Sequence, residues 1–192
     1  MDPSYKELQI NGSDWSYGSR WGDQMENSIN EIFENIPKYK NVLDVGCGEG
    51  RGLMALYNLG FDQRNIIGVD IAPEKITMAR DRGFLVLDED FHQLKPIPDN
   101  HFDYVYSSHT LEHSYDLEMA FKSLMRVCRG TLFFIVPVGE TKEEVDKYNP
   151  SHTSPIKDEE QLAEILDKIG YKYKLQKVKR MCSEIWGEVW KN

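Results

Sequence analysis

The sequence predicts an α/β domain: a doubly wound seven-stranded sheet, mostly parallel, with helices on both faces and a C-terminal antiparallel hairpin. Three observations predict it. Short apolar runs alternate with stretches of helical periodicity from Asn41 to Ile169, which implies a parallel sheet covered on both faces. Gly60, Gly83, Gly130 and Gly170 each follow a helical pattern, where a left-handed C-terminal cap is expected. After Gly170 the alternation stops. Tyr171–Lys179 and Ile185–Lys191 are strand-like runs with a short connection and no helix, so they should pair antiparallel.

The elements follow in order. Met25, Ile29, Ile32, Phe33 and Ile36 recur at helical spacing, and Pro37 ends that helix. Strands are expected at Asn41–Val45, Asn65–Asp70, Gly83–Leu87, Phe102–Ser107 and Thr131–Pro137. Helices are expected between them at Arg51–Leu59, Pro73–Arg82 and Asp116–Cys128, the last with Leu117, Ala120, Phe121, Leu124 and Cys128 on one face. A late helix begins near Asp158, with Gln161 as its capping-box partner and Leu162, Ile165, Leu166 and Ile169 as its buried stripe. Gly139–Lys157 reads as one long irregular segment, a length that usually marks a functional or mobile loop.

At 192 residues the chain is expected to form one domain. Its net charge of −9 disfavours a long nucleic-acid partner. The basic residues of Lys172–Arg180 alternate with apolar ones, as on an exposed strand face. Cys47, Cys128 and Cys182 are an odd, widely spaced set, which fits a reducing compartment. No signal peptide is read in MDPSYKELQI, and no apolar run approaches the ~20 residues of a membrane span. A soluble, cytoplasmic monomer or homodimer is expected.

The chemistry is concentrated in Val42–Gly50, VLDVGCGEG, where an apolar strand enters a glycine-dense turn and then a helix. Glycine lets backbone approach a ligand closely. Asp70 ends the next apolar run, 20 residues after Gly50, and a carboxylate there suits ribose hydroxyls. A dinucleotide turn needs a third glycine three residues after Gly48, but Arg51 stands there. Cys47 reads as a small filler of the turn, with no activating base in the local sequence.

VLDVGCGEG resembles the first motif of class I S-adenosylmethionine-dependent methyltransferases. DNHFDYVYSSHTLEHSYD (Asp99–Asp116) looks like the fourth-strand region of their type 11 small-molecule branch. The resemblance implies a Rossmann-like fold and S-adenosylmethionine as cofactor. It implies backbone at Gly46, Cys47 and Gly48 along the methionine part, Asp70 on the ribose, and Ile71 against adenine. Asp90 and Phe91 match the pair that reads the adenine edge, with Asp88 and Glu89 competing for the acidic role. Asp44 and Ser107, near strand ends, complete the expected cofactor set. The chain then divides into an N-terminal lid and helix (1–40), a cofactor-binding core (41–138) and an acceptor-side loop, helix and hairpin (139–192).

The expected reaction is methyl transfer to a small-molecule acceptor at oxygen or nitrogen. A base is needed where the acceptor must lose a proton. His109 and His152 are the candidate bases, and no metal is assigned on this reading. A second reading uses His109, Glu112, His113 and His152 as a divalent-metal cluster for O-methylation. It follows from a resemblance to small-RNA and quinone-ring O-methyltransferases that carry Glu-x-x-Glu-His here, although His109 replaces their first glutamate. In the plainest reading His113 packs under the next helix and Glu112 is a solvated cap. A third reading is a non-catalytic S-adenosylmethionine-binding accessory protein, whose acceptor pocket would be closed. Tyr5, Trp15, Tyr17, Arg20 and Trp21 are lid candidates, and Tyr148, Asn149 and His152 could face them across the acceptor. Trp186 and Trp190 are expected to pack in the core or along an edge.

Overall fold

The computed structural model describes residues 2–12, 20–180 and 182–192. The elements are α1 (Pro3–Gly12), α2 (Arg20–Phe33), β1 (Val42–Val45), α3 (Arg51–Asn58), β2 (Ile66–Asp70), α4 (Pro73–Asp81) and β3 (Leu85–Asp88). β4 (Phe102–Ser108), α5 (Leu117–Val127), β5 (Cys128–Pro137), α6 (Lys142–Tyr148), α7 (Glu159–Ile169), β6 (Lys172–Lys179) and β7 (Ser183–Trp190) follow.

The strands form one seven-stranded sheet in the order β3-β2-β1-β4-β5-β7-β6. β1 pairs parallel with β2 and with β4, so the strand order reverses across β1 and β4. Ligand crevices of open α/β sheets form at that reversal. β7 returns antiparallel along β5, and β6 pairs antiparallel with β7 as the outer strand. The expected C-terminal hairpin is therefore present. Exposed lysines 172, 174, 177 and 179 line β6, and charge on an edge strand discourages further pairing.

Apolar side chains leave the sheet on both faces and form two cores. One packs Leu43, Val105, Phe121, Leu124, Phe134 and Leu162, among others, beneath α5 and α7. The other packs Ile29, Phe33, Leu53, Phe61, Ile66 and Tyr106 beneath α2 and α3. The periodic residues of α2, α5 and α7 thus face where their spacing placed them. Asp116 caps α5 by accepting from Met119 N–H at 2.9 Å, and Asp158 caps α7 by accepting from Gln161 N–H at 3.0 Å. The Gln161 amide oxygen does not return to Asp158. It accepts from Lys157 N–H at 2.8 Å.

Two further expectations need correction. Gly130 is not a helix cap, because α5 ends directly into β5 and Gly130 lies within that strand. Its role is close approach: a Cβ there would stand 2.3 Å from the Asp103 carbonyl oxygen. The segment expected to be irregular contains α6. Its Thr141 and Glu144 form a reciprocal capping box; among its described side chains Val145 is the buried hydrophobe, and KEEVDKY carries no apolar stripe to announce it. α1 carries little sequence signal, since its apolar residues are sparse.

Candidate functional site

The site is built at the carboxyl ends of β1, β2 and β4. β1 ends at Val45, and the chain turns through Gly46 (φ 70°), Gly48 (φ 51°) and Gly50 (φ 84°) into α3. Gly46 N–H and Cys47 N–H both donate to the Val69 carbonyl, at 2.8 and 3.1 Å, which docks the turn on β2. Two of these glycines have opposite surroundings. A Cβ on Gly46 would lie 2.2 Å from Thr110 Oγ1, whereas one on Gly48 would meet nothing within 4 Å. Gly46 is pressed against the next wall, and Gly48 faces open space.

That open space is a cavity. Gly46–Glu49, Asp70 and Ile71 border it on one side, Ser108–Thr110 and His113 on another, and Tyr5 and Gln9 of α1 contribute as well. Asp70 is held by backbone. One carboxylate oxygen accepts from Gly48 N–H at 2.8 Å, and the other from Ile71 and Ala72 N–H at 2.8 and 2.9 Å. A carboxylate fixed in this way keeps acceptor capacity for further hydroxyl donors.

Asp44 is buried at the base of the turn. Its Oδ2 has no hydrogen-bond partner, and a Cβ on Gly52 would stand 2.4 Å from it. Burial, and then the Asp70 charge, push its carboxyl up to about 7. A bare buried carboxylate oxygen calls for a proton or a cation. Asp44 itself does not border the cavity, so its charge acts on a ligand there from beneath the turn. The ammonium and sulfonium of S-adenosylmethionine suit that field together with Asp70, and the open face at Gly48 suits its backbone-lined passage. The residues present therefore fit the cofactor.

Four expected positions behave differently from their assignment. Cys47 contributes backbone only. Its thiol points into the core, 2.6 Å from where a Cβ on Gly68 would sit, and burial pushes its pKa well up. Ser107 is fully buried with an unpartnered hydroxyl, and Ser108 borders the cavity instead, because successive strand side chains point to opposite faces. Asp90 is occupied elsewhere: it accepts from His92 N–H and faces His92 Nδ1 at 2.6 Å, and it accepts from Tyr115 Oη at 2.9 Å. Glu89 and Phe91 border the cavity in its place. His152 is buried behind His113, with their ring centroids 4.8 Å apart.

His109 does face the cavity. It sits just past β4 at φ 50°, a strained value for a non-glycine residue, and its N–H donates to the Ile135 carbonyl at 2.8 Å. Its Nδ1 is 3.7 Å from Glu112 and its Nε2 is 3.5 Å from Glu184. Burial opposes its charged form, but Glu184 and then Glu112 outweigh burial and raise its pKa. Burial lowers that of His113. Glu112 is not a solvated cap, being 1% exposed.

Sequence reasoning missed several supports. Arg51, noted only as the glycine that is absent, pairs with Asp23 at 2.7 Å and Glu26 at 3.0 Å and so ties α2 to the turn. Gln9 Nε2 donates to the Ser151 carbonyl at 2.9 Å, and Tyr5 Oη donates to the His113 carbonyl, so α1 straps the acceptor-side loops. His92 links Asp90 to Ser114 Oγ, at 2.6 and 2.7 Å. That chain has the order of a hydrolase triad, but Ser114 is fully buried and accepts from Asp116 N–H. It is a brace. Trp15 and Tyr17 lie outside the described residues, as do the side chains of Arg20, Trp21 and Tyr148. Asn149 donates to Glu140 at 2.8 Å, and Trp186 packs beneath the Arg180 guanidinium.

Residues 43–135 match the family described as methyltransferase domain. The chain is 32% identical over 108 residues to a bifunctional methionine biosynthesis protein MetXA/MetW of Rhodopirellula baltica, covering 53% of this chain and 17% of that protein. It spans little more than half the length, or less, of the curated relatives it matches. A Thermotoga maritima structure described as a methyltransferase, possibly a histamine N-methyltransferase, superposes with TM-score 0.71 at 20% identity, covering 98% of this chain and 99% of that one. Phosphoethanolamine N-methyltransferase 2 of Haemonchus contortus, with S-adenosyl-L-methionine, superposes with TM-score 0.76 at 16% identity, covering 97% and 57%. Residues 43–135 thus match a methyltransferase domain, and the chain shares its fold with solved S-adenosylmethionine-dependent methyltransferases.

Proposed function

We propose that the protein transfers a methyl group from S-adenosylmethionine to a small-molecule acceptor, at oxygen or nitrogen. The observation that carries this reading is a single cavity bordered by the glycine turn and Asp70 on one side and by His109 on the other. S-adenosylmethionine, when bound, supplies a methyl group already activated on sulfur. The chain's task is then alignment of acceptor and donor, a contribution of positioning. Asp70 holds the ribose, Ile71 and Phe91 flank the adenine, and Asp44 offsets the donor's positive charge from beneath the turn. His109 takes the acceptor's proton, and Glu184 stabilises the resulting imidazolium. His152 supports His113 and does not reach the acceptor.

The open space beside His109 disfavours the accessory-protein reading, which requires a closed acceptor pocket. No helix among the described residues is long and apolar enough to cross a membrane. The test is production of S-adenosylhomocysteine against a panel of small amines, phenols and alcohols. At least one should be turned over, and His109→Asn should lower kcat by about 100-fold or more while leaving cofactor affinity intact. Equal turnover by His109→Asn would remove it as the base.

A further inference from the structure

We propose that Glu112, His113 and His152 bind one divalent first-row transition-metal cation at the acceptor side of the cavity. Each offers one ligand atom, and these atoms lie within 4.8 Å of one another. The decisive detail is what each group does with its other atoms. His113 Nδ1 is 2.9 Å from the Ser151 carbonyl oxygen, and His152 Nδ1 is 2.6 Å from Glu140 Oε2. Both of those oxygens accept, so in each neutral ring Nδ1 carries the hydrogen and Nε2 carries the lone pair. Metal-binding histidines are oriented in this way, by a carbonyl or a carboxylate on the far nitrogen. Glu112 is 1% exposed, and its Oε2 has no hydrogen-bond partner. A buried acceptor left bare is costly unless something fills its place.

The two loops that carry these ligands are cross-tied. Ser154 N–H donates to the Glu112 carbonyl at 2.9 Å, and Thr153 Oγ1 donates to the His113 carbonyl at 2.9 Å. Two imidazole nitrogens with one carboxylate oxygen suit zinc, cobalt, nickel, iron or manganese better than magnesium or calcium. Metal–ligand distances of about 2.0–2.2 Å require the side chains to draw together by roughly an ångström. His109 is not a member of the set. It faces the other Glu112 oxygen, at 3.7 Å, which narrows the four-residue cluster expected from sequence to three.

The test is calorimetric titration of the untagged protein with cobalt(II) in the absence of cofactor, with thermal melting alongside. One equivalent should bind and raise the melting temperature. Glu112→Gln and His152→Asn should each weaken binding at least tenfold and abolish the thermal shift, while His101→Asn, at an exposed histidine, should change neither. Should Glu112→Gln fail to fold, His152→Asn decides alone. Absence of stoichiometric binding, or undiminished binding by His152→Asn, would overturn the proposal. The site stands apart from the methyl-transfer reading. Cobalt binding without S-adenosylmethionine binding would keep the site and sink that reading, and the reverse result would sink the site alone.

Discussion

Asp44 is a buried carboxylate with one bare oxygen, and its state should be coupled to the cofactor. Its pKa is raised to about 7 by burial and then by Asp70. The folded chain favours its protonated form, so its contribution to stability is full below the ordinary carboxylate range and is lost as pH rises through about 7. A cationic ligand above it offsets that loss. The melting-temperature gain from S-adenosylmethionine should therefore grow as pH rises through about 7, and Asp44→Asn should flatten the trend. His109 is shifted in the same direction for a different reason. Its pKa is raised despite burial, because Glu184 and Glu112 face it, so the acid limb of kcat/KM should lie above the ordinary histidine value of 6.5. Glu184→Gln should move that limb to lower pH. An unmoved limb would assign it to another group. Gly46→Ala would drive a Cβ to within 2.2 Å of Thr110 Oγ1 at a positive φ. A cofactor affinity loss of tenfold or more, measured by calorimetry, is expected.

Among the elements, the β5–β7 pairing and the seat of α2 have the most exposed weak points. Phe134 of β5 lies opposite Gly187 of β7, and a Cβ there would sit 2.1 Å from the Phe134 ring. Gly187→Ala should destabilise the fold by roughly 1–3 kcal/mol, read by denaturant unfolding, as overpacked cores do. Arg51→Met should lower global stability only modestly, since Asp23 is exposed and Glu26 half-exposed, so both carboxylates regain water when the buried guanidinium is removed. It should, however, raise amide exchange across α2. Elements with strong periodicity or clear caps (α2, α5, α7 and the β6–β7 hairpin) were legible in the sequence. α6 carried its signal in Thr141 and Glu144, but without an apolar stripe the capping pattern went unread. Strand ends decided the rest. One residue's difference in where β4 stops exchanges Ser107 for Ser108, and a central strand covered on both faces has no apolar alternation to reveal that parity. Asp90 was misplaced for a similar reason, since its partners His92 and Tyr115 meet it only in the folded chain.

At the scale of the whole molecule, the reversal of strand order across β1 and β4 brings the glycine turn, Asp70 and His109 around one cavity. The sequence already held the two motifs and their order, and folding supplied their juxtaposition. It also supplied the supports that no motif contains: Arg51 on α2, and α1 across the loops at His113 and Ser151. The central claim is that this cavity binds S-adenosylmethionine through Asp70. Calorimetric titration with S-adenosylmethionine, and separately with a nicotinamide dinucleotide, on the wild type and Asp70→Ala tests it most directly. The account predicts binding of S-adenosylmethionine alone, in roughly the micromolar range, and its loss in the variant. Binding of the dinucleotide instead, or undiminished S-adenosylmethionine binding by Asp70→Ala, would contradict it.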